Sequence, residues 1–85
     1  MTYTMKFTAR ALRDLTALDR TVQQRLRQHI DRLAENPFPQ GVKKLHADES
    51  YYRLRVGDYR IIYTVEGREL IVIIVKIAHR KHVYR

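Results

Sequence analysis

Three arginines fall on one side of a single short hairpin in this chain. The run Tyr51-Tyr52-Arg53-Leu54-Arg55-Val56-Gly57-Asp58-Tyr59-Arg60-Ile61-Ile62-Tyr63 alternates at period two on either side of Gly57-Asp58. That pattern predicts two antiparallel strands joined by a two-residue loop. In this register Val56 faces Tyr59, Arg55 faces Arg60, Leu54 faces Ile61 and Arg53 faces Ile62. Leu54, Val56, Tyr59 and Ile61 then share one face, and Arg53, Arg55 and Arg60 share the other. Like charges placed directly across a ladder destabilise it, which points to an anion held against them. A guanidinium offers five donors in a planar fork and takes phosphate in a bidentate manner. The chemistry expected is a phosphodiester cradle; the plainer reading is a solvated face of a half-buried sheet.

The C-terminal segment Ala78-His79-Arg80-Lys81-His82-Val83-Tyr84-Arg85 is a second concentration of reactive groups. Histidine transfers protons near neutral pH, and tyrosine stacks on a base or delivers a proton. The plainer reading is a frayed basic terminus. If the last strand runs antiparallel to its hairpin partner, this segment starts near the Gly57-Asp58 turn and the two basic clusters become one site. No metal site is expected, because the segment holds no carboxylate and its positive charge opposes a divalent cation. His46, Asp48 and Glu49 read as loop polarity. No glycine-rich phosphate loop, His-Glu-x-x-His helix or Gly-x-Ser-x-Gly turn occurs, and Ser50 is the only serine.

These groups sit in a chain of 85 residues with 17 Lys plus Arg against 9 Asp plus Glu, a formal net charge of +8. A pI near 10.2 favours a polyanionic partner, nucleic acid ahead of acidic protein or membrane. The length suits one domain, 1–85, with a thin core, since a chain this short buries roughly 60% of its unfolded surface. With no cysteine, disulfides and thiolate zinc sites are excluded. Lys6 and Arg10 interrupt any signal-peptide core, and the apolar run Leu70 to Val75 is too short to span a bilayer. The expectation is a cytoplasmic protein with no membrane partner and no cofactor.

The elements that must position these groups are legible in outline. Thr2 to Phe7 reads as a first strand. Thr8 caps a helix from Ala9 to about Leu18 with Ala11, Leu12, Leu15 and Leu18 on one side. Asp19 caps a longer helix with Val22, Leu26, Ile30, Leu33 and Ala34 inward, ended by Asn36-Pro37. Residues 37 to 50 read as a connection. After the hairpin, a turn at Glu66-Gly67 or Gly67-Arg68 leads into a strand from Leu70 to Ile77, apolar on both faces and so interior to the sheet. The order β-α-α-β-β-β predicts an α+β two-layer sandwich, two N-terminal helices on a mostly antiparallel sheet.

At Tyr52 to Tyr63, and at Ile77-Ala78-His79-Arg80 through Val83-Tyr84-Arg85, the chain resembles the RelE/ParE superfamily of toxins from type II toxin–antitoxin pairs. Leu12-Arg13-Asp14-Leu15 and the overall length also suit that family. The resemblance implies a RelE-like fold. On the RelE branch it implies a metal-independent endoribonuclease cutting mRNA in the ribosomal A site by attack of the 2′-hydroxyl. Carried over by position, Arg60 and Arg80 are phosphate-binding catalytic arginines and Tyr84 is the aromatic at the cleavage site. Arg53, Arg55 and Lys81 bind the RNA backbone. Arg53 and Arg55 stand where some members have lysine, and arginine does not give up its proton in proteins. The general base is therefore expected at His79, with His82, His46 and Glu49 behind it, unless positioning and charge stabilisation suffice. The implied partners are a cognate acidic RelB-like antitoxin in a hetero-oligomer, mRNA and the ribosome. The alternative is a ParE-like inhibitor of DNA gyrase that binds without catalysis.

Overall fold

Thr8 ends the first strand and starts the first helix. In the computed structural model, which describes residues 2–45 and 48–79, its backbone is extended and its hydroxyl accepts the Ala11 amide at 3.0 Å. Strand β1 (Thr4–Phe7) precedes this cap and helix α1 (Ala9–Thr16) follows it. Ala11 and Leu15 are buried and Leu18 packs partly on the core, whereas Leu12 is 51% exposed. The helical period explains the difference: Leu12 is turned about 100° from Ala11, while positions 11, 15 and 18 stay within a narrow stripe. Helix α2 (Arg20–Glu35) buries Leu26, Ile30, Leu33 and Ala34. Asp19 occupies its N-cap position without a side-chain cap; its carbonyl instead accepts the Gln23 amide at 2.8 Å. Asn36 is extended ahead of Pro37 and closes the helix, as the residue before a proline favours.

Four further strands follow: β2 (Lys43–Leu45), β3 (Asp48–Val56), β4 (Tyr59–Glu66) and β5 (Ile71–His79). The sheet order is β1-β5-β4-β3-β2, with β1 parallel to β5 and the other pairs antiparallel. The result is the expected α+β sandwich of two helices on a mostly antiparallel sheet. One strand had not been anticipated, since β2 lies inside the segment read as a connection. Strand β5 is interior, flanked by β1 and β4, which accounts for apolar residues on both of its faces. No helix among the described residues is long and apolar enough to cross a membrane.

The hairpin has the register that its alternation predicts: Val56 pairs with Tyr59, Arg55 with Arg60, Leu54 with Ile61 and Arg53 with Ile62. Gly57 has φ +59 and Asp58 has no positive φ, the II′ pattern suited to the twist of a two-residue hairpin. The second turn differs from both expected forms. Glu66 pairs with Ile71 across four loop residues, and Leu70 takes the left-handed conformation at φ 54. Leu54, Val56, Ile61, Tyr63, Val72, Ile74 and Ile77 meet the buried helix residues in one core. Within it the Tyr63 hydroxyl donates to the Pro37 carbonyl at 2.7 Å, and the Tyr63 ring stacks on Tyr52 at 5.7 Å. These contacts tie the segment after α2 to the middle of the sheet.

Candidate functional site

Core packing on one side of the β3–β4 hairpin leaves the other side free for polar work. Leu54, Val56 and Ile61 are buried against the helices, so Arg53, Arg55 and Arg60 project from the face opposite α1 and α2. There they line a hollow of about 190 Å³ together with Lys43 and Gly41. No carboxylate lines it among the described residues. Arg60 is the buried member, 7% exposed, while Arg55 is exposed and its Nε donates to the Gly57 carbonyl at 3.3 Å. Three guanidinium groups and an ammonium around one hollow can receive an oxyanion in a fork of planar donors.

Sequence reasoning missed Lys43. It belongs to β2 and pairs directly with Arg53. Its strand is three residues long, too short for any periodic signal, and only the pairing brings it to the pocket. Arg25 also reaches the hairpin from α2. A Cβ built on Gly57 would lie 3.1 Å from one of its terminal nitrogens, so the guanidinium rests on the turn that joins the arginine-bearing strands.

The site residues expected from the tail divide into two groups. Arg80, Lys81, His82 and Tyr84 lie outside the described residues, as do His46 and the side chain of Glu49. The strand that leads to them does end beside the hairpin turn: Arg60 pairs with Ala78, and Tyr59 pairs with His79. His79, the expected base, is not in the arginine pocket. Its ring meets Tyr59 edge-on at 5.1 Å, and both line a different cleft of about 450 Å³ with Arg10, Arg13 and Asp14 of α1. Period-two geometry gives the reason. His79 pairs with Tyr59, whose side chain points to the helix layer, and Arg60 points the opposite way. At that same edge Asp14 accepts the Ile77 amide at 3.0 Å, covering an N–H of β5 beyond the end of β1. Among the described residues no cluster of His, Asp or Glu suited to a metal ion occurs.

Fold and pocket together define a class. Residues 5–84 match the model of the ParE toxin of type II toxin–antitoxin system, parDE. The chain is 31% identical to the RelE1 protein of Methanocaldococcus jannaschii over 100% of its own length and 98% of the relative. It is 27% identical to the mRNA interferase toxin RelE of Escherichia coli, over 95% of this chain and 86% of that one. The crystal structure of the archaeal RelE–RelB complex from Pyrococcus horikoshii superposes with a TM-score of 0.82 at 31% identity, covering 98% of this chain and 100% of that one. The chain belongs to the RelE/ParE superfamily of type II toxin–antitoxin toxins. Within it, the full-length relatives place the chain among the RelE toxins.

Proposed function

We propose that this toxin is a metal-independent endoribonuclease that cuts mRNA in the ribosomal A site. The observation that carries the reading is the pocket of Lys43, Arg53, Arg55 and buried Arg60. Its dimensions and donor geometry suit one phosphodiester. In the reaction the 2′-hydroxyl of the substrate attacks the adjacent phosphorus, the bond to the 5′-oxygen breaks, and the products are a 2′,3′-cyclic phosphate and a 5′-hydroxyl. Arg60 and Arg80 hold the phosphate and stabilise the charge that builds on its oxygens. Arg53, Arg55, Lys43 and Lys81 track the backbone on either side, and Tyr84 stands at the cleavage site. With His79 on the other face of the sheet, the described residues of this pocket contribute orientation and charge stabilisation. An acidic antitoxin that folds over the basic surface would hold the toxin inactive in a hetero-oligomer. The relative named an mRNA interferase supports the activity at the level of the family, and a gyrase inhibitor has no use for a phosphate-shaped pocket.

Expression of the toxin followed by mapping of mRNA 5′ ends tests the assignment. Cuts at a fixed codon position, lost in Arg60→Ala and Arg80→Ala, are expected. Intact mRNA with accumulated DNA–gyrase cleavage complexes would replace the reading with the ParE-like one.

A further inference from the structure

The face that carries the arginine pocket holds a second hollow of about 320 Å³, with Leu45, Tyr51, Ile62, Val75 and Ala78 as its largely apolar lining and Arg53 and Lys76 as its charged members. Among the described residues neither α1 nor α2 covers this face, so its apolar groups lie outside the core between helices and sheet. A β-bulge enlarges the patch. The β4–β5 register skips Val75 between the Lys76 and Ile74 pairs, so Val75 and Lys76 stand together opposite Ile62. Bulges of this kind re-aim side chains beside functional sites. The hollow adjoins the phosphate pocket, because Arg53 lines both. Ile62 is paired with Arg53 and lies two residues from Arg60 along β4, a step of about 7 Å. That step matches the reach from a nucleotide's phosphate to its base.

We propose that this hollow is a nucleobase subsite: it seats the base of the nucleotide whose phosphate the arginines hold. The proposal rests on the ribonuclease reading and adds to it a contact that phosphate binding alone does not need. A base supplies a flat apolar surface for Tyr51 and Ile62 to cover, and polar edges for Arg53 and Lys76 to meet at the rim. Every base has such a face, so the subsite adds affinity and register.

The test measures binding of a short RNA with a 2′-deoxy block at the scissile position, against the same RNA with one base removed there. The wild type is expected to prefer the intact RNA about tenfold, equal to about 1.4 kcal/mol. Tyr51→Ala and Ile62→Ala should bind the intact RNA no better than the wild type binds the abasic one, with abasic binding unchanged. Ile62→Met, which keeps the apolar floor, should keep the preference. Equal binding of both RNAs by the wild type would overturn the subsite and leave the phosphate pocket standing. Equal loss of both RNAs in the variants would also overturn it. No binding of either RNA by the wild type at low salt would also overturn the subsite, while the ribonuclease reading is decided separately by the mapped mRNA 5′ ends.

Discussion

Replacing Gly57 with alanine tests how the hairpin that carries the arginines is held. Gly57 has φ +59, and an L-residue in that region costs about 1–2 kcal/mol. The added Cβ would also stand 3.1 and 3.2 Å from the terminal nitrogens of Arg25. Those atoms end a flexible side chain and can move, so the backbone supplies most of the penalty. In a domain of this size each kcal/mol lowers the midpoint by about 4–8 °C. Gly57→Ala should therefore melt roughly 5–15 °C below the wild type. Gly67→Ala is the control, since Gly67 has no positive φ and nothing within 4 Å of its built Cβ. It should be neutral or stabilising by up to about 1 kcal/mol. Thermal and urea unfolding followed by circular dichroism supply both numbers. The double variant Arg25→Ala/Gly57→Ala separates strain from crowding and should recover only a small part of the loss. A Gly57→Ala midpoint within about 2 °C of the wild type would refute backbone strain at Gly57. So would a Gly67→Ala loss as large as that of Gly57→Ala.

Three further outcomes follow from other contacts. Tyr63→Phe leaves the buried Pro37 carbonyl without the 2.7 Å hydroxyl donor and should cost about 1–2 kcal/mol in urea unfolding. Burial, followed by the neighbouring Tyr52, pushes the Tyr63 hydroxyl above the ordinary 10.0. Its stabilisation is thus complete below that value and fades as the pH rises past it, which ultraviolet titration of the folded protein reads as one delayed tyrosine. Burial and then the charges of Arg32 and Arg25 hold His29 below its ordinary 6.5, so the folded state takes up its proton later than the unfolded one. Stability should be full above 6.5 and fall as the pH drops through it, and His29→Gln should flatten that part of the acid limb. Asp14→Ala removes the acceptor of the Ile77 amide; hydrogen exchange at Ile77 should accelerate about fivefold, the loss of ~1 kcal/mol, with most protection kept in Asp14→Asn.

Local rules fixed more of this molecule than non-local ones. The hairpin register was legible because alternation and a Gly-Asp loop both act within a few residues. The Thr8 cap and the Asn36-Pro37 stop were legible for the same reason. Lys43 was not, because a three-residue strand acquires its place only by pairing with β3. The position of His79 was also beyond reach. Its nearness to Arg60 in sequence order of the sheet was correctly anticipated, yet face depends on register, and one residue separates the helix side from the open side. The loop before β5 misled for a different reason: Gly67 looked like the residue that turns, while Leu70 carries the positive φ. The bulge at Val75 likewise depends on how two strands meet rather than on either strand alone.

The central claim is that buried Arg60 and its neighbours hold the scissile phosphate. Single-turnover cleavage on programmed ribosomes tests it most directly, comparing the wild type with Arg60→Gln after both are shown to be folded. Loss of one preorganised donor to a developing oxyanion costs roughly a hundredfold to a thousandfold in rate. A loss of that order is expected, with the 2′,3′-cyclic phosphate as the residual product. A rate within about threefold of the wild type would contradict it, since that is far below the effect of removing such a donor.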